Sequence, residues 1–182
     1  YTIAKDVKIQ VEFNPTKVQA YRLIGYENRL LNAEDFKDDK KDAGELGSGH
    51  TVTALYEVIP VGVKSKFLKD IDKLKYTKTT SLNESNELLM VKFRYKNPDG
   101  KNSIEMVEVI NDETIRTLEN MSSDFKFSSA VALFGMNLSK SKFTNKARLD
   151  KVIELAKLGK GEDKNGYRSE FIRLVKSYKN SN

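Results

Sequence analysis

The spacing of hydrophobic residues has one period in the first part of the chain and another in the last part. Residues 7–13 alternate between apolar and polar, which places Val7, Ile9, Val11 and Phe13 on one face of a predicted strand. Later runs of strand length are rich in β-branched and aromatic residues, and they predict strands at Ala20–Glu27, Thr51–Ile59, Leu88–Tyr95 and Ser103–Ile110. Asn97-Pro98-Asp99-Gly100 separates the last two runs and predicts a hairpin.

From about Ser123 the apolar residues follow the period of a helix. Asp124, or a serine just before it, is expected to cap a first helix. A second helix begins at Asn145 with Gly159 as its C-cap, and a third covers residues 164–179. The apolar positions of the three predicted helices are Phe125, Phe127, Val131, Phe134 and Leu138, then Leu149, Val152, Ile153 and Ala156, then Tyr167, Phe171, Leu174, Val175 and Tyr178.

Strands followed by helices indicate an α+β fold, with an antiparallel sheet or sandwich at about residues 5–110 and a C-terminal three-helix cap. We therefore expect a β-rich domain at 1–110 and a helical subdomain at 111–182 that packs on it as one structural unit. The residues expected to make this contact are Phe127, Val131, Phe134, Leu149, Ile153, Phe171 and Leu174. The polar stretches Asn32–Gly49 and Val61–Glu87 are expected to be surface connections.

The composition narrows the class of protein. With 182 residues, 38% of them hydrophobic and 32% charged, the chain is large enough to form a core. It has no apolar run of the roughly 18 residues that span a membrane, and it has no cysteine for a disulfide, a thiolate metal site or a nucleophile. Residues 111–182 carry 14 Lys and Arg against 9 Asp and Glu, so most of the net charge of +6 belongs to the predicted helices. Solvated helix faces explain this excess, and binding to nucleic acid or an anionic surface is the alternative.

The sequence GELGSGHT at residues 44–51 differs by one residue from a phosphate-binding P-loop, because His50 stands where lysine is required. A P-loop follows a buried strand and opens a helix. Here charged residues 38–42 precede the glycines and a predicted strand follows them. We therefore predict no nucleotide or other cofactor at this segment, and we expect its glycines to form a turn.

The acidic stretch that precedes this segment offers carboxylates for a calcium ion. The candidate ligands are Asp35, Asp38, Asp39, Asp42 and Glu45. Their order does not match an EF-hand, since the third position counted from Asp35 is Lys37. We therefore predict a solvated loop without metal, and calcium binding is the alternative.

His50 is the one histidine of the chain. It has no cysteine or second histidine to complete a zinc site, and no G-x-S-x-G nucleophile motif is present for a serine hydrolase. We expect a structural histidine and predict no catalytic residues, so the chain is not expected to be an enzyme.

Several segments together resemble the C-terminal region of bacterial von Willebrand factor type A (vWA) domain proteins, a region of unknown function. The segments that carry the resemblance are Val11–Pro15, Tyr21–Arg29, Asp35–Phe36, Asp42–Glu45, Gly49–Glu57, Phe125–Phe127, Ala130–Ala132, Phe134–Met136, Gly166–Arg168, Glu170–Phe171 and Leu174–Val175. In that family the vWA domain precedes this region and holds its metal ion with an Asp-x-Ser-x-Ser motif. This motif is absent from these 182 residues, so no metal ligand is carried over.

The resemblance implies a non-enzymatic scaffold or protein-interaction region in a bacterial cell-envelope protein, in the periplasm or on the outer surface, with a lipid anchor as one form. The expected partners are the chain's own upstream vWA domain and other envelope proteins, without nucleic acid and without direct membrane insertion. A basic domain that binds nucleic acid or an anionic surface is the alternative. The chain starts at Tyr1, as a piece of a longer polypeptide does, so we also expect residues 7–13 to form an exposed sheet edge that favours self-association.

Overall fold

The computed structural model describes residues 1–25, 33–41, 43–68, 85–112, 117–144 and 149–181. They belong to two compact units, Tyr1–Thr114 and Ile115–Asn182. Antiparallel strands make up the first unit and α-helices the second, so the predicted α+β class is confirmed. The predicted packing of the helical subdomain on the β-rich domain stays a prediction.

The described part of the first unit contains six strands: β1 Thr2–Phe13, β2 Val18–Ile24, β3 Gly44–Gly47, β4 Leu55–Pro60, β5 Glu87–Lys96 and β6 Ile104–Asn111. They form a four-stranded sheet in the order β3-β1-β5-β6 and a two-stranded sheet of β2 and β4, and the described pairings are antiparallel. The hairpin at residues 97–100 is confirmed, because it joins β5 to β6 and the Gly100 amide donates to the Asn97 carbonyl at 2.9 Å.

Two strand predictions need correction. Thr51–Ile59 was predicted as one strand, but residues 51–54 are irregular and exposed and β4 begins at Leu55. The first strand lies between β3 and β5 only as far as Val7, where its pairing with β3 ends. The edge predicted at residues 7–13 is therefore narrowed to residues 8–13, which pair with β5 and with no other described strand. The predicted self-association through this edge stays a prediction. Residues 26 and 27, the end of the strand predicted at Ala20–Glu27, lie outside the described residues.

The predicted surface connection Asn32–Gly49 is not simply a loop. It contains a 3₁₀ turn, Ala33–Phe36, and the short strand β3, and the Phe36 side chain is buried. The sequence hides these elements because β3 is short and contains two glycines, which are rare in strands. Of the second predicted connection, residues 69–84 lie outside the described residues.

The described residues of the second unit form three α-helices: α1 Ser123–Leu138, α2 Leu149–Leu158 and α3 Tyr167–Ser181. The serine before α1, Ser122, caps it, since its hydroxyl accepts a hydrogen bond from the Phe125 amide at 3.1 Å. Asp163 has the same function for α3 and accepts hydrogen bonds from the amides of Arg168 and Ser169. The predicted start of α2 at Asn145 lies outside the described residues.

The three helices share a core of their own. It is formed by Ala130, Phe134, Val152, Leu155, Ala156, Ile172 and Val175. Phe134 contacts the rings of Phe171 and Tyr178 edge-on, with centroids 5.7 and 5.6 Å away. Val131 and Leu174, two of the residues predicted to contact the β-rich domain, are exposed and lie outside this core. The contact predicted for them stays a prediction.

Gly159 ends α2 as predicted, but for a reason of packing. Its backbone is not left-handed, whereas that of Gly161, two residues later, is, with φ 59°. A Cβ atom on Gly159 would lie 2.4 Å from the Phe127 nitrogen and 2.7 Å from the Ser123 carbonyl oxygen. Only glycine therefore permits this approach of α2 to the first turn of α1.

Candidate functional site

Two buried lysines hold residues 35–41, which we call the acidic segment, against one face of the four-stranded sheet. Lys8, on β1, is 3% exposed, and its ammonium group donates to the carbonyl oxygens of Asp35 and Asp38 at 3.1 and 2.5 Å. Lys96, on β5, is 8% exposed and donates to the Asp39 carbonyl at 2.7 Å. Buried cations must be paired or hydrogen-bonded, so both lysines depend on the backbone of this segment.

The charge of Lys96 is balanced by Asp6. Its ammonium group lies 2.7 Å from Asp6 Oδ2. Asp6 occupies an irregularity in β1, where the pairing with β5 shifts between Lys5 and Lys8 and the Asp6 backbone is left-handed, with φ 53°. The hydrogen bond from Lys96 lowers the pKa of the Asp6 carboxyl, and the charges of Lys96 and Lys8 and the amide of Ala43 act in the same direction.

Asp39 fastens the segment by its side chain as well as by its backbone. Asp39 Oδ1 accepts hydrogen bonds from the Ser103 hydroxyl at 2.5 Å and from Arg94 at 2.8 Å, and these lower the pKa of Asp39, with the Ser103 contribution the larger. Arg94 also lies 3.6 Å from Glu105 on β6. The segment is thus tied to β1, to β5 and to the residue before β6.

The residues predicted as possible calcium ligands make separate contacts in the structure. Lys41 lies 3.4 Å from Asp35, the Asp38 side chain accepts from the Lys40 amide, and Glu45 accepts from the Thr2 hydroxyl. Asp42 lies outside the described residues. No group of three or more His, Cys, Asp or Glu side chains in the described part of the chain is placed to hold a metal ion. The carbonyl oxygens of Asp35, Asp38 and Asp39 accept hydrogen bonds from Lys8 and Lys96.

The segment that resembles a P-loop is placed in a sheet. Gly44–Gly47 is β3, which pairs with β1 through Thr2, Ala4 and Val7, and Ser48 and Gly49 form the turn after it. The Gly49 backbone is left-handed, with φ 74°, which explains the glycine at this position. Residues 50–54 are irregular and lead into β4, so no helix N-terminus follows the glycines.

His50 is exposed, and its Nδ1 atom lies 3.2 Å from the Ser48 carbonyl oxygen. Within the described part of the chain, no serine hydroxyl and no carboxylate is hydrogen-bonded to the ring. The contact with Ser48 helps to form the turn after β3. It brings no nucleophile to a base.

The opposite face of the four-stranded sheet is apolar. Residues directly opposite each other in antiparallel strands share a face. The registers Ile9↔Phe93↔Met106 and Tyr95↔Ile104 therefore define one face, and Lys8↔Arg94↔Glu105 defines the other. We call the first the apolar face; it comprises Ile9, Val11, Phe13, Leu89, Val91, Phe93, Tyr95, Ile104, Met106, Glu108 and Ile110. Phe13 is the buried end of this face, because its ring contacts the rings of Tyr21 on β2 and Tyr56 on β4.

The apolar face is only partly covered. Phe93 and Tyr95, which the alternation predicts to face the core, are half-buried and contact each other with centroids 5.5 Å apart. Ile9, Ile104 and Met106 are exposed, as are the other residues of β6. The buried hydrophobic residues of the first unit, within its described part, are Ala4, Phe13, Val18 and Phe36. The hydrophobic core of this unit is therefore small beside its exposed apolar surface.

Sequence reasoning did not show that Lys8, Lys96 and Asp6 hold the acidic segment against the sheet. Lysine is among the residues least often buried, so the sequence alone predicts that Lys8 and Lys96 are exposed. Asp6 continues the alternation of residues 7–13, and the departure from it begins at Lys5, so the sequence does not indicate the irregularity at Asp6.

The strands and helices define an α+β protein in which a clamped acidic segment lies on one face of a sheet and the other, apolar face is partly exposed. The chain belongs to the family described as "Uncharacterized protein YfbK, C-terminal", whose model matches residues 1–180. It is 43% identical over 177 residues to "Uncharacterized protein YfbK" of Escherichia coli (strain K12). The aligned region covers 96% of this chain and 29% of that relative. The chain thus spans less than a third of the length of this relative. No solved structure matches the chain.

No helix in the described part of the chain is both long enough and apolar enough to cross a bilayer.

Proposed function

We propose that this chain is a non-enzymatic scaffold and protein-interaction region that accompanies a vWA domain in a bacterial cell-envelope protein. The observation that supports this proposal is the partly exposed apolar face of the four-stranded sheet, where exposed Ile9 and Met106 lie on either side of Phe93. Exposed apolar patches bordered by polar residues are typical of surfaces that another protein covers.

The rigidity of the opposite face supports the same proposal. Lys8 and Lys96 bind the acidic segment through buried hydrogen bonds, and Arg94 binds it through Asp39. The sheet is thereby fixed on one side, and a fixed surface loses little conformational entropy when a partner binds to the other side. A scaffold needs such a preformed surface.

The vWA partner is proposed from the sequence resemblance together with the length of the relative. The chain covers 29% of the E. coli relative, so most of that relative lies outside the matched region. In proteins of the vWA type the metal-dependent domain precedes a region like this one. A neighbour in the same polypeptide meets the apolar face at a high effective concentration.

The proposal is tested by joining the chain to the vWA-bearing part of the full-length protein and by mixing the two parts. We expect the joined protein to melt at a higher temperature than the chain alone, and we expect calorimetry to detect association of the separate parts. Met106→Lys should weaken the association at least about tenfold, because it places a charge in a buried apolar contact. The matched control, Val52→Lys, changes an equally exposed residue of an irregular segment. Unchanged melting together with no association would reject the proposal.

The alternative is a basic domain that binds nucleic acid or an anionic surface, and the excess of Lys and Arg in residues 111–182 favours it. It predicts binding to DNA or to vesicles containing anionic lipid that falls steeply with salt. On the sheet, Arg94 and Lys96 already bind Asp39 and Asp6, so such binding would use the helices. Absence of salt-dependent binding at low ionic strength would exclude it.

A further inference from the structure

Strand β6 is an edge strand with no second partner among the described strands. Its eight residues pair with β5 from Asn111 opposite Glu87 to Ile104 opposite Tyr95. Successive residues of a strand direct their N–H and C=O groups to alternate sides, so about half of these groups in β6 point away from β5. An unpaired edge of this kind accepts another strand.

Both flanks of β6 are apolar. Ile104, Met106 and Ile110 lie on the apolar face, and Val107 and Val109 lie on the opposite face; all five are exposed. A strand added here would therefore gain side-chain contacts above and below the sheet in addition to backbone hydrogen bonds. Natural edge strands are usually protected by charged side chains, above all lysine, by proline or by a bulge. Strand β6 contains no lysine or proline, and its charged residues are Glu105 and Glu108.

Glu108 is the one charged residue of β6 on the apolar face. It lies opposite Val91 on β5, with Met106 and Ile110 as its neighbours two residues away along β6. No hydrogen bond or ion pair joins Glu108 to the rest of the described chain, whereas Glu105 on the other face lies 3.6 Å from Arg94. Covering an ionised carboxylate without a cation is costly, so a strand that covers Glu108 should bring one.

We propose that β6 pairs with an extended strand from the adjoining part of the same longer protein, with alternating apolar residues and a Lys or Arg beside Glu108. This inference rests on the proposed function and specifies how the neighbouring part attaches. A second copy of β6 fits less well, because it supplies glutamates and no cation. The adjoining part is favoured over a separate protein because linkage raises its effective concentration.

The charge requirement is tested with two eight-residue peptides that alternate valine and threonine and carry either one central lysine or one central glutamate. Binding to this chain is followed by NMR through the amides of residues 104–111. We expect the lysine peptide to bind about fivefold more tightly, as for exchanging a cross-strand pair of like charges for one of opposite charges. Glu108→Lys should reverse this order. Glu119→Lys, an equal charge change on the helical unit, should leave the order unchanged.

Amide exchange of the full-length protein tests the source of the strand. We expect the outward-facing amides of β6 to exchange at least about tenfold more slowly in the full-length protein than in this chain. If the apolar face is covered there but the β6 amides still exchange fast, this inference fails and the proposed function stands. If the peptides show the expected preference and the joined parts neither associate nor stabilise each other, the proposed function fails, and the assignment of the strand to the adjoining part fails with it. A peptide order independent of Glu108, or a dimer of this chain formed through β6, would also overturn the inference.

Discussion

Lys96 and Asp6 are 90 positions apart in sequence, and their charged groups are 2.7 Å apart in the structure. The pair joins β5 to the irregularity in β1, and the same ammonium group reaches the Asp39 carbonyl of the acidic segment. A single lysine therefore connects three parts of the chain. Its contacts explain why a segment rich in charged residues is ordered against the sheet.

The first prediction concerns acid sensitivity. The hydrogen bond from Lys96 lowers the pKa of Asp6 below its ordinary value of about 4. A lowered pKa in the folded state stabilises the fold above about pH 4, and this contribution is lost as the pH falls through the folded pKa. We expect Asp6→Asn to reduce the free energy of unfolding at pH 7 and to flatten its dependence on pH below 4. Urea unfolding at several pH values measures both effects, with Asp99→Asn in the exposed β5–β6 turn as control.

The second prediction concerns the other buried lysine. Lys8→Met keeps the length of the side chain but leaves the carbonyls of Asp35 and Asp38 without their donor. We expect a loss of about 2 to 3 kcal/mol in the free energy of unfolding, because hydrogen bonds to charged groups are worth about that much. Amides at 35–41 should exchange faster. The control is Lys92→Met, which changes a lysine of β5 on the same face of the sheet as Lys8. It should change the free energy of unfolding by less than about 0.5 kcal/mol. Equal effects of the two variants would contradict the clamp.

The third prediction uses two glycines of the helical unit. Gly159→Ala brings a Cβ atom to 2.4 Å from the Phe127 nitrogen, so we expect a loss of at least about 2 kcal/mol in stability. Gly135→Ala on α1 meets no atom within 4 Å and should stabilise by about 0.5 to 1 kcal/mol. Thermal unfolding followed by circular dichroism compares them. A harmless Gly159→Ala would show that α1 and α2 do not approach this closely.

The fourth prediction concerns the core of the helices. Phe134→Ala removes a buried ring that contacts Phe171 and Tyr178, and we expect a loss of about 3 to 5 kcal/mol. Phe125→Ala removes an exposed ring from the same helix and should cost less than about 1 kcal/mol. Urea unfolding separates the two. Similar losses would mean that the core is centred elsewhere.

The periodic elements could be predicted from the sequence because local pattern determines them. The β5–β6 hairpin follows from Asn-Pro-Asp-Gly between two apolar runs, and α1 follows from its serine cap and helical period. Strand β3 could not be predicted, since its four residues pair only because β1 lies beside them. Periodicity also could not show that Val131 and Leu174 lie outside the helical core, because it gives a direction and not a distance to the next helix.

The candidate site was less accessible to sequence reasoning. The acidic residues drew attention as metal ligands, but the cations that bind their backbone lie on β1 and β5, far away in sequence. The apolar face follows from the alternation in β1, β5 and β6, but the alternation alone predicts that it is buried. The register of the strands and the solvent-accessible surface of β6 show that part of this face is exposed.

Thiol labelling tests the central claim most directly, because this chain contains no cysteine of its own. Met106→Cys places a single thiol on the apolar face, and Val52→Cys places one at an equally exposed position elsewhere, since the two residues are 57% and 63% exposed. Their labelling rates are compared between this chain and the full-length protein with other cysteines removed. We expect labelling at 106 to slow at least about tenfold in the full-length protein and labelling at 52 to stay unchanged. Equal labelling rates at 106 in both proteins would contradict the central claim.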